Sequence, residues 1–220
     1  HLLIIICTKV LEKDCRELFR ARIYPQINNN ISHEGVTEYE KVFEPKEMGA
    51  PPPEKTKGGR LNPPGIPYLY LSSSKKTALA EMRPWVGAYI CIAQFATVRK
   101  LKILDLTLDL DEKDIHDSDL KCFLPWTIGL QNAFSEPVCC EDVNSYTPTQ
   151  YFAEYFKSLG FDGIKYESAM NHHGKNLAIF NPEDAIIKGK VNKIAIEIID
   201  FSYIDADSDI PRTFTSYVKK

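Results

Sequence analysis

The chain has 220 residues, 44% hydrophobic and 26% charged, the balance of an ordinary soluble globular protein with one sizeable core. Its net charge of −3 argues against nonspecific nucleic-acid binding, which needs a clustered positive field. Local basic spots still suit a phosphate-bearing small molecule.

Six Cys stand at 7, 15, 91, 122, 139 and 140 without a C-x-x-C pair or a His at zinc-finger spacing, so no metal is expected. The adjacent Cys139 and Cys140 read as two small loop residues, and a reducing cytoplasm is the expected location. The apolar run 2–7 is far shorter than the roughly 20 residues of a membrane span, and no signal peptide is legible. His1 stands where Met is usual, so the expectation is a single domain, residues 1–220, forming the C-terminal part of a longer protein.

In chain order, residues 2–6 read as a β-prone run and 9–19 as a helix or a connection. Residues 18–23 alternate apolar and basic side chains, as a half-buried strand does, which places Arg20 and Arg22 on one face. They would converge on one anion or stand as solvated edge cations. The stretch 25–57 is polar and broken by Asn28-Asn29-Asn30 and Pro51-Pro52-Pro53, a long loop with extended polyproline structure near its end. His33 lies there and is given no role.

The densest stretch follows. Gly58-Gly59-Arg60-Leu61-Asn62-Pro63-Pro64-Gly65 leads into a strand at 67–71, with Ser72, Ser73 and Ser74 as candidate caps of a helix at 77–82 that Pro84 stops. It brings Arg60, Asn62, Tyr68, Tyr70 and Glu81 together beside a rigid turn, as a binding site does or as a solvated hairpin with one ion pair does.

Residues 86–98 and 101–106 read as antiparallel neighbours turned at Arg99-Lys100. The acidic run 108–119 reads as a solvated loop or helix face. Thr147-Pro148-Thr149-Gln150 has the form of a capping box, and Tyr151, Phe152, Tyr155, Phe156 and Leu159 recur at helical spacing before Gly160, as core aromatics. Strands at 162–167 and 176–180, with a turn at His172-His173-Gly174 between them, and an apolar region at 191–204 complete a sheet-rich second half.

Four blocks in order carry a resemblance. Leu18-Phe19-Arg20-Ala21-Arg22, the GGR-x-N-P-P-G stretch with L-Y-L-S and T-A-L-A-E-x-R-P, Phe161-Asp162-Gly163-Ile164-Lys165-Tyr166-Glu167-Ser168, and Asn176-Leu177-Ala178-Ile179-Phe180 resemble the signature of the RES-domain family. Leu61 departs from the Trp that many relatives carry, and the 25–57 insertion sets Arg20 far upstream of Arg60.

The resemblance implies an α/β (α+β) fold like that of ADP-ribosyltransferases, two packed, mostly antiparallel sheets with flanking helices and NAD in a central cleft. It implies an NAD-consuming enzyme that cleaves the nicotinamide–ribose bond, a phosphorylase or glycohydrolase, acting as a bacterial toxin or defence effector. The alternatives are an ADP-ribosyltransferase acting on a protein or nucleic acid, and a non-catalytic NAD- or ADP-ribose-binding module.

Its implied partners are NAD, inorganic phosphate as an acceptor, and an antitoxin or upstream region covering the cleft. Carried over by motif, Arg20 (or Arg22) and Arg60 would grip phosphates with bidentate guanidinium geometry. Tyr70 would stack near nicotinamide, with Asn62 and Asn176 among the binding residues. Glu81 would face the developing ribosyl cation, Arg60 would serve in catalysis as well as binding, and Ser168 would orient the ribose or the attacking group. No Rossmann G-x-G-x-x-G follows Gly58-Gly59, and neither a Walker motif nor a G-x-S-x-G elbow occurs.

Overall fold

A computed structural model describes residues 7–15, 17–24, 42–107, 118–136 and 143–199. The expectations for residues 2–6, His33, the run 108–117, Cys139-Cys140 and residues 200–204 lie outside them. Eight strands are described: β1 Thr8–Leu11, β2 Leu18–Ile23, β3 Leu69–Ser72, β4 Tyr89–Thr97, β5 Leu101–Asp105, β6 Gly163–Glu167, β7 Lys175–Ile179 and β8 Ala185–Ala195. Three helices accompany them: α1 Lys75–Glu81, α2 Ser118–Ser135 and α3 Thr147–Ser158. The α+β class holds, with one difference: the strands form a single sheet in the order β1-β5-β6-β7-β3-β2-β4-β8, antiparallel throughout except for β5 with β6.

That sheet is nearly two. β2 and β3 meet only at Phe19 opposite Ser72, whereas β2 pairs with β4 along its whole length and β3 with β7 along its own. Strand alternation then sorts the cores. On one face Leu18, Leu69, Leu71, Cys91, Ala93, Phe95, Leu177 and Ile179 form a core continuous across the join, closed by the fully buried Met48. On the other face there are two separate cores. Tyr68, Ile164, Tyr166, Ala178 and Phe180 pack with Phe134 and Phe156 from α2 and α3, and Ala21, Ile90 and Ile92 pack with Ala78 from α1. The space between these two cores, over the join, is where a cleft opens.

Several local expectations are corrected. Where 9–19 was expected to be a helix or a connection, residues 8–11 form strand β1, because their edge pairs with β5. The 86–98 and 101–106 strands are not neighbours: both edges of β4 are taken by β2 and β8, and β5 joins β1 and β6 across the other half of the sheet. At the turn between them Arg99 is instead held by Asp184 and Asp162. The proline stretch ends in a single 3-10 turn, Pro53–Lys55.

Helix α2 was not expected: the acidic run 108–119, read as a solvated loop or helix face, overlaps only its first two residues, and Pro125 sits inside it. Thr147 is not the cap of α3, since a 3-10 turn, Val143–Tyr146, leads directly into the helix and Tyr146 takes the cap position without a side-chain bond. Of the α3 aromatics, Phe156 is core and Phe152 packs against it, but Tyr151 and Tyr155 are 71% and 49% exposed. The expected stop is observed: Gly160 adopts φ of 80° just past the helix.

Candidate active site

The loop before β3 is built for rigidity. Gly59 N–H donates to Asn62 O at 2.9 Å, closing a tight turn. A Cβ on Gly59 would stand 2.6 Å from Asn62 Oδ1 and 3.1 Å from the Tyr70 hydroxyl, so glycine is needed for packing within the loop rather than for approach of a ligand. Asn62 is buried and its amide donates to Lys57 O, Pro63 O and Ile66 O at 3.0–3.2 Å, while its Oδ1 accepts from Tyr70 Oη at 2.7 Å. Asn62 is thus consumed as a brace and does not line the cleft, which corrects its placement among ligand-binding residues.

The first turn of α3 grips the same loop. Gln150 Nε2 donates to Gly59 O at 2.7 Å, and the buried Thr149 hydroxyl donates to Arg60 O. The residues read as a capping box therefore act across 91 positions of sequence.

The cleft has a volume of about 700 Å³. Arg20, Arg22, Arg60, Tyr70, Glu81 and Asn176 of the expected set line it, joined by Ser72, Arg83, Tyr146 and Tyr166, to which the sequence reading assigned no site role. Arg20 is held by one bond, Nη1 to Tyr70 O at 2.9 Å, across the gap where β2 and β3 part. Its Nε is buried without a partner among the described residues, and burial, then the neighbouring Arg22, pushes the guanidinium down to about 10.

Arg22 turns elsewhere, donating to Glu47 O and lying 4.9 Å from the Phe43 ring. Of the two alternatives, Arg20 is therefore the one engaged with the cleft wall. Arg60 is lightly held: its guanidinium lies 5.5 Å from the Tyr146 ring centre, and Nη1 is 3.5 Å from Ala133 O, a weak bond. Tyr70 presents only its ring, because its hydroxyl also accepts from Leu61 N–H at 3.1 Å; burial pushes that phenol up to about 12.

The lining also includes Glu81, the last residue of α1, whose N-cap is Ser74 out of the three candidate serines. Glu81 Oε1 accepts from Ser168 Oγ at 2.7 Å and from Asn176 Nδ2 at 2.6 Å. Ser168 Oγ in turn accepts from Met170 N–H and Asn171 N–H, both at 3.1 Å. Both acceptor sites of that hydroxyl are filled and its one proton goes to Glu81. Ser168 thus positions a carboxylate and has nothing left with which to orient ribose or a nucleophile, a role different from the one the resemblance implied.

The turn beneath is locked by Asn171 Nδ2 donating to Thr77 Oγ1 at 2.9 Å, and His173 takes φ of 62° in it, as the expected turn requires. Among the described residues no three His, Cys, Asp or Glu side chains gather as metal ligands, and no helix is long and apolar enough to cross a membrane.

No curated protein matches the chain. A chain in the crystal structure of the M. tuberculosis MbcT-MbcA toxin-antitoxin complex is 14% identical, with a TM-score of 0.43 over 89% of this chain and 91% of that one. The sequence model described as RES domain matches residues 36–200, leaving Arg20 and Arg22 upstream of the matched stretch. That match spans well over half of the 220 residues and contains Arg60, Glu81, Ser168 and Asn176, and so the chain belongs to the RES domain family.

Proposed function

We propose that the protein consumes NAD by cleaving the bond between nicotinamide and ribose. The observation that carries this reading is a single carboxylate, Glu81, held by two donors in a cleft that Arg20 and Arg60 also line. The cleft falls within the ~300–1,000 Å³ of small-molecule sites, and the orphaned, buried Arg20 Nε is a donor waiting for an anion. These arginines would hold the pyrophosphate, whose oxygens suit bidentate recognition by the planar guanidinium.

Departure of nicotinamide with the glycosidic electron pair leaves positive charge on the ribose. A carboxylate already fixed there stabilises that charge as it develops and costs no reorganisation. Because Oε1 takes both protein donors, Oε2, without a protein partner among the described residues, is the oxygen offered to the sugar. An oxygen of the acceptor then bonds to the anomeric carbon, with loss of a proton if the acceptor is water. The lining carries four arginines, Arg20, Arg22, Arg60 and Arg83, against one carboxylate, which favours inorganic phosphate as that acceptor.

In this reading the protein depletes NAD as a toxin or defence effector, with an antitoxin or an upstream region as its restraint. Incubation with NAD, with and without phosphate, followed by mass identification of products, tests it. Nicotinamide plus a phosphorylated ADP-ribose is expected; free ADP-ribose in both arms would make water the acceptor, and intact NAD would overturn the reading.

A further inference from the structure

Behind the bonds to Glu81 stands Ser72, which makes no hydrogen bond to Glu81 itself among the described residues. Asn176 on β7 lies directly opposite Ser72 on β3 and Tyr166 on β6, so the three side chains form a row across three strands. Ser72 and Asn176 are 5% and 6% exposed. Ser72 Oγ donates to Asn176 Oδ1 at 2.8 Å, and Asn176 Nδ2 donates onward to Glu81 Oε1 at 2.6 Å.

An amide has two ends that differ chemically while occupying nearly the same space. If Asn176 turned over, its carbonyl oxygen would face the Glu81 carboxylate, acceptor against acceptor, and Oε1 would lose one of its two donors. The acceptor-only carboxylate therefore turns the amide N–H toward itself, and the Ser72 hydroxyl anchors the opposite end of the amide by donating to Oδ1, which holds Nδ2 in place on Oε1. Ser168 cannot substitute for it, since its proton is already committed to the same oxygen.

We propose that Ser72 is a positioning residue for Glu81, acting through the side-chain amide of Asn176. By anchoring Oδ1 it keeps Nδ2 on Oε1, so that Oε1 stays saturated and Oε2 is the oxygen presented to substrate. This inference rests on the NAD-cleaving reading for its kinetic readout, though the hydrogen-bond chain itself does not.

The test is a double-mutant cycle on the full chain, with nicotinamide release from NAD as the readout. Ser72→Ala is expected to lower kcat about tenfold, the factor of one hydrogen bond, with KM for NAD nearly unchanged. Ser72→Cys, which keeps shape and a weak donor, should recover part of it. In a Glu81→Gln background Ser72→Ala should cost nothing further, because the group it positions no longer carries charge. An undiminished tenfold loss in that background, a rise in KM at constant kcat, or no loss at all would overturn the proposal.

If wild-type protein leaves NAD intact, the activity reading fails by itself, and the same four proteins are then compared by urea unfolding. Additive stability changes for Ser72→Ala and Glu81→Gln would overturn the coupling, and clear non-additivity would uphold it.

Discussion

The negative and positive groups that line the cleft are held on opposite principles. The carboxylate is firmly fixed: Glu81 Oε1 has two donors, the Ser168 hydroxyl is fully engaged, and Asn176 is bonded on both sides. The arginines are underused. Among the described residues Arg20 makes one bond and buries an unpartnered Nε, and Arg60 rests on a ring and a long contact. The difference matches what each kind of group has to do. A charge that stabilises a transition state must be fixed beforehand, whereas charges that bind a ground-state anion gain by keeping their donors for it.

Arg99, which is not among the cleft's lining residues, shows a third condition: bonds at 2.6–2.8 Å to Asp162 and Asp184 tie it into the fold.

The largest effect expected from breaking this contrast is at the fixed carboxylate. Glu81→Gln keeps shape and loses charge, so nicotinamide release should fall about a hundredfold or more while NAD binding persists. Near-normal release by a folded variant would move the catalytic carboxylate elsewhere.

At the loosely held arginines the effect should appear in affinity. Arg60→Ala should weaken NAD binding by about 1.5–3 kcal/mol, and Arg60→Lys should restore only part of it because an ammonium lacks the bidentate fork. Unchanged affinity by calorimetric titration would remove Arg60 from the site.

Smaller still should be the loss on loosening the loop that carries Arg60. Gln150→Ala removes the 2.7 Å bond to Gly59 O and should raise KM several-fold, about 1 kcal/mol, with kcat almost constant. A kcat effect larger than the KM effect would show that the loop serves the chemical step.

Smallest, and confined to stability, is the control at Arg99. Burial pushes the Asp162 carboxyl up, but its bonds to Arg99 and to Lys102 N–H outweigh that and hold it below its ordinary 3.8. A carboxyl lowered on folding contributes stability that is present above its unfolded value and lost as pH falls through the folded one. Asp162→Asn should therefore lower the melting temperature modestly above about pH 4, with the difference closing at lower pH, and leave NAD turnover unchanged. Lost turnover in a folded Asp162→Asn protein would mean that the two kinds of arginine are not separate.

Local chemistry was legible where period, capping and turn rules act within a few residues. The alternation of 18–23 placed Arg20 and Arg22 on one face, Ser74 was among the named caps, and Gly160 and Pro84 mark real ends. The family blocks put Arg60, Glu81, Ser168 and Asn176 on the page before any fold. Long-range partner choice was not legible. The Arg99-Lys100 turn looked like a hairpin, but backbone donors on β4 are indifferent to sequence distance and were taken by β2 and β8.

Whether a polar side chain faces a ligand or its own fold is likewise a tertiary matter. Asn62 and Ser168 have the right chemistry for binding, yet their donors and acceptors are spent on the loop and on Glu81. Gln150 and Thr149 obey the pattern of a helix cap and serve instead to hold residues 59 and 60. By itself the sequence determined which chemical groups are available and the strands and turns nearest them. Only the tertiary structure decided that the sheet nearly parts between β2 and β3, because the cores on one face are two and on the other one, and the cleft lies at that parting.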